Sequence, residues 1–185
     1  RKLRIYYLEA GLRSGNLQHP YPEEGYRQMI ARIADVNFAP TELSSDNLKN
    51  EKVHGETFVV GNSVLDNLTD LGNCPTENFI LVTLHRRENL HWIGEWFTEI
   101  EKLAIANPQL QFVLPIHPNP KVREHRHLLK NVTVIEPLGH TQLINTLRKS
   151  VLVISDSGGL QEEGTFFNKK VIVCRKTTER PEGID

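Results

Sequence analysis

The chain has 185 residues, 22 Lys and Arg against 23 Asp and Glu, and a net charge of −1. That length suits one domain, or one domain with part of another. A charge this close to neutral gives no footprint for non-specific nucleic-acid binding, and the few aromatics (7 %) are not interleaved with basic clusters. No apolar run is long enough to span a bilayer. Cys74 and Cys174 stand far apart, as reduced thiols of a cytoplasmic protein do, so no disulfide framework is expected.

The chain opens without Met at Arg1-Lys2-Leu3-Arg4 and ends just past a motif at Ile184-Asp185, so it reads as an excerpt of a longer protein. Ile5 to Leu8 is a strand candidate, closed by the loop Glu9-Ala10-Gly11-Leu12-Arg13-Ser14-Gly15. Pro22 opens a helix with Glu23 and Glu24 in its first turn, where the dipole favours acids. Tyr26, Met29, Ile30, Ile33 and Ala34 make its apolar stripe. Glu23 and Arg27, four apart, share a face and can pair. As a plain surface salt bridge such a pair contributes about 0.3–0.5 kcal/mol.

Val36 to Ala39 is a short strand, Ser44 to Lys52 a polar helix, Thr57 to Val60 a strand, and Val64 to Leu71 a helix. Gly72-Asn73-Cys74-Pro75-Thr76 is the one clear linker, so the domain boundary falls there. Beyond it come strands at 79–83, 112–116, 132–135, 151–155 and 171–174, alternating with helical patterns. The strongest of these holds Ile93, Trp96, Phe97, Ile100, Leu103 and Ala104, and its aromatics read as core. Such alternation predicts α/β architecture, with parallel sheets and helices on both faces.

In that architecture strand ends converge on one edge, where ligands bind. The second half places polar clusters there: His85-Arg86-Arg87, His117-Pro118-Asn119, Asp156-Ser157-Gly158-Gly159 and Arg175 with Thr178-Glu179-Arg180. Strand, Gly-Gly turn and a helix over Leu160 to Phe167 present backbone N–H groups and a positive helix end to an anion. Arginine's planar fork suits phosphate, and the sum points to a diphosphate. A carboxylate in the helix's first turns would repel phosphate, so Glu162 or Glu163 is better suited to a neutral group such as a sugar diol. On the turn alone, a capped helix is an equal reading. Glu9 and Glu23 are an acid/base candidate pair, although spacing alone fits capping and solvated acids better. The eight histidines lack metal-ligand spacing, so no metal is expected. No G-x-G-x-x-G, Walker or G-x-S-x-G pattern is present, so neither a redox cofactor nor a serine nucleophile is expected.

The motifs L-E-A-G-L-R-S-G-N-L, P-Y-P-E-E-x-x-R, F-A-P-T-E, G-N-S-V-L-D, T-L-H-R-R-E-N, I-H-P-N-P, D-S-G-G-L-Q-E-E and T-T-E-R-P-E-G occur in this order. In them the chain resembles the non-hydrolysing UDP-N-acetylglucosamine 2-epimerases along its whole length. The resemblance implies two Rossmann-like domains of the GT-B type with the site in the cleft between them. Residues 1–71 would be the second half of the N-terminal domain, which is therefore incomplete, and 72–185 the nucleotide-binding C-terminal domain, truncated at its end. It implies interconversion of UDP-N-acetylglucosamine and UDP-N-acetylmannosamine without a cofactor, by UDP elimination and re-addition. By the same resemblance Glu9 and Glu23 are the catalytic carboxylates, Arg27 orients them, and His85 lies near the diphosphate. Ser157, Gly158 and Gly159 hold phosphate, Glu163 takes the ribose hydroxyls, and His117 and Arg180 line the nucleotide side. A homodimer and an activating second UDP-sugar are implied as well. The departures are Tyr26, where relatives carry Asn, and Leu143, where an aromatic residue commonly lies near the uracil. A further catalytic Asp and an arginine fall upstream of Arg1, so the excerpt alone would be catalytically poor. Other readings are a GT-B glycosyltransferase, which the Glu9/Glu23/Arg27 set disfavours, and an inactive nucleotide-sugar binding module.

Overall fold

The computed structural model describes residues 3–72 and 74–181. Asn73 of the predicted linker, and Glu182 and Gly183 of the last motif, lie outside the described residues. The chain divides into two compact units. One comprises the described residues up to Leu71 together with those from Thr177 onward, and the other is Gly72–Lys176. The sequence suggested one change of unit near residue 72; the grouping has a second, at 177.

In the first unit, β1 (Tyr6–Leu8), β2 (Val36–Ala39) and β3 (Glu56–Val59) form a sheet in that order, all parallel. Three helices connect or follow them: α1 (Glu23–Ile33), α2 (Glu42–Asn50) and α3 (Ser63–Asp66). Thr41 caps α2 by accepting from the Ser44 N–H at 3.1 Å. The helix expected to reach Leu71 is α-helical only to Asp66; beyond it the Leu68 N–H donates to the Leu65 carbonyl and the Leu71 N–H to the Leu68 carbonyl, a tighter turn pattern. The core of this unit is small: Ala10, Ala31, Ala39 and Leu48. Of the predicted apolar stripe of α1 only Ala34 is buried. Ala31 and Ala34 are buried, whereas Tyr26, Met29, Ile30 and Ile33 are exposed among the described residues. Small alanines allow α1 to lie close on its inner side, and the large residues occupy the outer side. Tyr6, Phe38 and Phe58 also form a cross-strand ladder, with ring centroids 6.3 and 6.2 Å apart.

In the second unit the sheet order is β6-β5-β4-β7-β8, again wholly parallel. The strands are β4 (Phe79–Thr83), β5 (Gln111–Pro115), β6 (Thr133–Ile135), β7 (Leu152–Ser155) and β8 (Lys170–Val173). The helices are α4 (Ile93–Ala106), α5 (Pro120–Arg123), α6 (His140–Lys149) and α7 (Gly158–Phe166), with 3₁₀ turns at Arg87–Trp92 and Arg126–Leu128. The pleat sorts β4 by parity. Ile80 and Val82 join Phe97 and Ile100 of α4 in one cluster. Phe79 and Leu81 join Leu147 of α6 and Leu160 of α7 in another. Both faces are therefore covered, as the continuous apolar runs of β4 and β7 require.

Phe97 has no exposed surface. Phe97→Ala is expected to destabilise the unit by roughly 3–5 kcal/mol, read as a lower denaturant midpoint at unchanged m-value.

Candidate active site

In the first unit the loop after β1 starts with Glu9, whose φ of +56° lies in the left-handed region. A non-glycine residue there costs about 1–3 kcal/mol, and such strain clusters at functional positions. The loop is braced on both sides. Gly11 (φ +87°) lies so close to α2 that a Cβ would stand 2.0 Å from the Ser44 carbonyl oxygen. Only glycine fits. Arg13 grips Glu51 with two bonds, Nε–Oε1 at 2.7 Å and Nη2–Oε2 at 2.8 Å. That fork lowers the Glu51 pKa, its hydrogen bond being the largest cause.

Arg27 pairs with Glu24 at 3.6 Å and with Glu179 at 3.3 Å, not with Glu23 as the four-residue spacing suggested. Glu24 is fully buried and also accepts from the Ser14 N–H (3.0 Å) and from Gln28 (3.2 Å). Glu23 is exposed at the first position of α1. Arg180 donates to Glu179 at 2.8 Å and lies 3.8 Å from Glu9. A chain of alternating charge thus runs Glu9, Arg180, Glu179, Arg27, Glu24. Glu179 and Arg180 both contact the rest of this unit, through Arg27 and Glu9.

In the second unit, Ser157 caps α7, its hydroxyl accepting from the Leu160 N–H at 3.4 Å. Gly158 and Gly159 are the first two helical residues, so α7 begins two residues before the expected start. A Cβ on Gly159 would meet nothing nearer than the Ser157 hydroxyl at 3.9 Å. Packing does not require glycine there, which fits a backbone left bare for a ligand. The helix start presents free N–H groups and a positive dipole end, the equipment of an anion site.

His85 and His117, at the ends of β4 and β5, stack with centroids 5.0 Å apart and planes 5° apart. Partial desolvation of its ring lowers the His117 pKa although the residue is exposed overall, the positive charge of a protonated His85 lowers it further, and Asp156 opposes both. The Asn119 N–H donates to His117 Nδ1 at 3.2 Å, which occupies the lone pair a second proton would need. Glu163 is buried, and its Oε1 lies 2.9 Å from His140 Nε2. Arg86 and Arg175 both turn to Glu88, at 2.8 and 3.8 Å. Those guanidiniums, expected at a diphosphate, already have a carboxylate. Leu143 packs against the α6–α7 side of the core.

Five contributors were not singled out from sequence. Glu24 had a visible signal, its three-residue spacing to Arg27. His140 and Asn89 had none, because their partners are distant in the chain, and Glu88 and Glu179 each join a near arginine to a distant one. A cavity of about 520 Å³ in this unit is lined by Asn89, Trp92, Glu95, Trp96, Cys174 and Arg175, and by none of the predicted site residues. Burial, with the nearby Asp156 charge, pushes the Cys174 thiol up to about 11, so it is inert at neutral pH. Among the described residues no group of three His, Cys, Asp or Glu could hold a metal ion, and no helix is long and apolar enough to cross a membrane.

Two wholly parallel α/β units, one with a Ser-capped Gly-Gly helix start at a strand end, place the chain in the Rossmann-like α/β class of protein. The sequence profile of UDP-N-acetylglucosamine 2-epimerases matches residues 1–185. The chain belongs to that family. It is 40 % identical to the UDP-N-acetylglucosamine 2-epimerase of Bacillus subtilis and 38 % identical to that of Campylobacter jejuni, covering all of this chain and 53 % and 56 % of theirs. The chain therefore spans about half the length of these relatives. Among solved structures it resembles S. aureus MnaA with UDP (TM-score 0.89, 37 % identity, 98 % of this chain and 53 % of that one). It also resembles the Neisseria meningitidis UDP-GlcNAc 2-epimerase bound to UDP-GlcNAc (TM-score 0.87, 36 % identity, 98 % and 55 %). The fold class is that of these GT-B-type epimerases.

A histidine whose pKa is lowered on folding binds fewer protons when folded than when unfolded. Stability contributed by His117 is therefore full above about pH 6.5, the unfolded value, and falls as pH drops through it toward the lower folded value. The His117→Asn variant is expected to show a flatter dependence of unfolding free energy on pH below about 6.5. The contribution is small because His117 is exposed, and denaturant titrations across that range measure it.

Proposed function

We propose that the protein carrying this chain interconverts UDP-N-acetylglucosamine and UDP-N-acetylmannosamine. The observation that supports it most directly is the family match over every residue. The bare, Ser-capped start of α7 adds a chemical reason. In the first step a carboxylate takes the proton from carbon 2. The C–H electron pair becomes the carbon 1–carbon 2 double bond, and the carbon 1–oxygen bond breaks with its pair leaving on UDP. In the second step UDP re-adds to carbon 1 while a proton arrives at the opposite face of carbon 2. Charge builds positive on the ring and negative on the diphosphate, and preorganised groups of opposite sign stabilise both.

On this reading Glu9 and Glu23 handle the proton and stabilise the ring, Arg27 orients them, and Arg180 supplies a countercharge beside Glu9. Ser157, Gly158 and Gly159 receive the diphosphate at the α7 start, with His85 and His117 at the neighbouring strand ends. Glu163, held by His140, accepts ribose hydroxyls through its remaining oxygen. The reaction as written consumes no redox equivalent. A cytoplasmic homodimer belongs to the same reading, and a monomer of the full-length protein by light scattering would count against that part.

The test uses the full-length protein with UDP-N-acetylglucosamine in deuterated water. Deuterium is expected at carbon 2 of both sugars. A glycosyltransferase would leave that hydrogen in place, and a binding module would take up UDP without turnover. Glu9→Gln and Glu23→Gln are each expected to cut kcat by about a hundredfold or more while leaving UDP affinity nearly unchanged. Undiminished turnover in either variant removes that residue from the proton chemistry.

A further inference from the structure

A single carboxylate joins three of the four strand ends around the stacked histidines. Asp156 follows β7 and has no exposed surface. Its Oδ2 accepts the His85 N–H at 3.0 Å, the Arg86 N–H at 2.9 Å and the Asn89 side-chain amide at 3.0 Å. The same Asn89 amide donates to the Cys174 carbonyl at the end of β8, at 2.9 Å. Three donors compensate a charge that would otherwise be untenable at that burial. Asp156 Oδ1 lies 3.8 Å from His85 Nδ1. Among the described residues, His85 is the one side chain of potential positive charge within ion-pair distance of it. The ring's other neighbour is His117, stacked at 5.0 Å.

A carboxylate needed only to cap the 3₁₀ turn could sit at the surface and share its bonds with water. This one has no exposed surface, and it fixes the backbone on which His85 is mounted while placing a negative charge beside the imidazole. We propose that Asp156 is a positioning residue of the epimerase reaction. It sets the His85 backbone and ring through its N–H bonds and its charge, with Asn89 as the strut that fixes its own orientation. The proposal rests on the function proposed above, and it gives roles to two residues that the proposed mechanism leaves without one.

Asp156→Asn in the full-length protein removes the charge and turns one acceptor into a donor facing N–H groups. The expected result is a fall in kcat of roughly ten- to a hundredfold, with KM for UDP-N-acetylglucosamine and UDP affinity little changed. By imidazole nitrogen-15 spectra, His85 should lose its single ordered resonance set, and His117 should titrate at a lower pH than in the wild type, because the opposing charge is gone. Unchanged kcat in a folded variant, or unchanged His85 resonances, would overturn the proposal. So would a loss of activity matched only by a loss of folded fraction. Should Asp156→Asn fail to fold, Asn89→Ala keeps the carboxylate but removes its strut. The same kcat-selective loss with altered His85 resonances then supports the proposal, and wild-type values for both refute it. Absence of turnover in the wild type would sink the epimerase reading alone, and the spectra of His85 would still decide whether Asp156 positions it.

Discussion

In a parallel sheet every strand delivers its carboxyl end to the same edge, and that constraint carries the chemistry of this chain. Neither sheet contains an antiparallel pair among the described residues. So His85, His117, Asp156 and Cys174 arrive at one edge of the second unit from β4, β5, β7 and β8, although up to 89 residues of chain separate the first from the last. The edge is dense with groups that are costly to bury unpaired. The order β5-β4-β7-β8 places each beside a partner: the two histidines on adjacent strands, Asp156 between the loop of β4 and the end of β8.

The second unit was legible because its apolar runs are uninterrupted and bounded by turn residues. A strand buried on both faces must be apolar throughout, so β4 and β7 could hardly be read otherwise. Boundaries slipped by a residue or two where the last turn depends on a cap. The start of α7 is an example: Gly158 and Gly159 are poor helix formers, yet the Ser157 cap and tertiary packing make them helical. The first unit was less legible. Period alone assigned Tyr26, Met29, Ile30, Ile33 and Ala34 to an inward stripe, and of these Ala34 alone is buried, because period locates one apolar side of a helix and says nothing of which side packs inward. The inward side carries Ala31, clustered with Ala10, Ala39 and Leu48.

The polar site showed the same division. Side chains attached to recognisable turns, Glu9 and Ser157 to Gly159, could be selected from local sequence. Their partners could not. Arg27 is held by a glutamate 152 residues later, and Asp156 by an amide 67 residues earlier. Such pairings are set by strand order, which residue types do not encode locally.

Charge allocation follows from those pairings. Counting arginines at strand ends suggested a phosphate site built on guanidiniums. Arg86 and Arg175 instead share Glu88, and Arg180 is divided between Glu179 and Glu9. A guanidinium already paired with a carboxylate offers little net charge to an incoming anion, and releasing it costs the pair. What the second unit offers at that edge is the Ser-capped α7 start and the stacked pair of imidazoles. Backbone dipoles need no desolvation of a full charge and no side-chain ordering. On the proposed function they would hold a diphosphate while substrate is bound and hold it again, at little reorganisation, when it becomes the leaving group. A reaction that releases a nucleoside diphosphate and then takes it back, as proposed, would be better served by such a site than by arginines that grip the free anion.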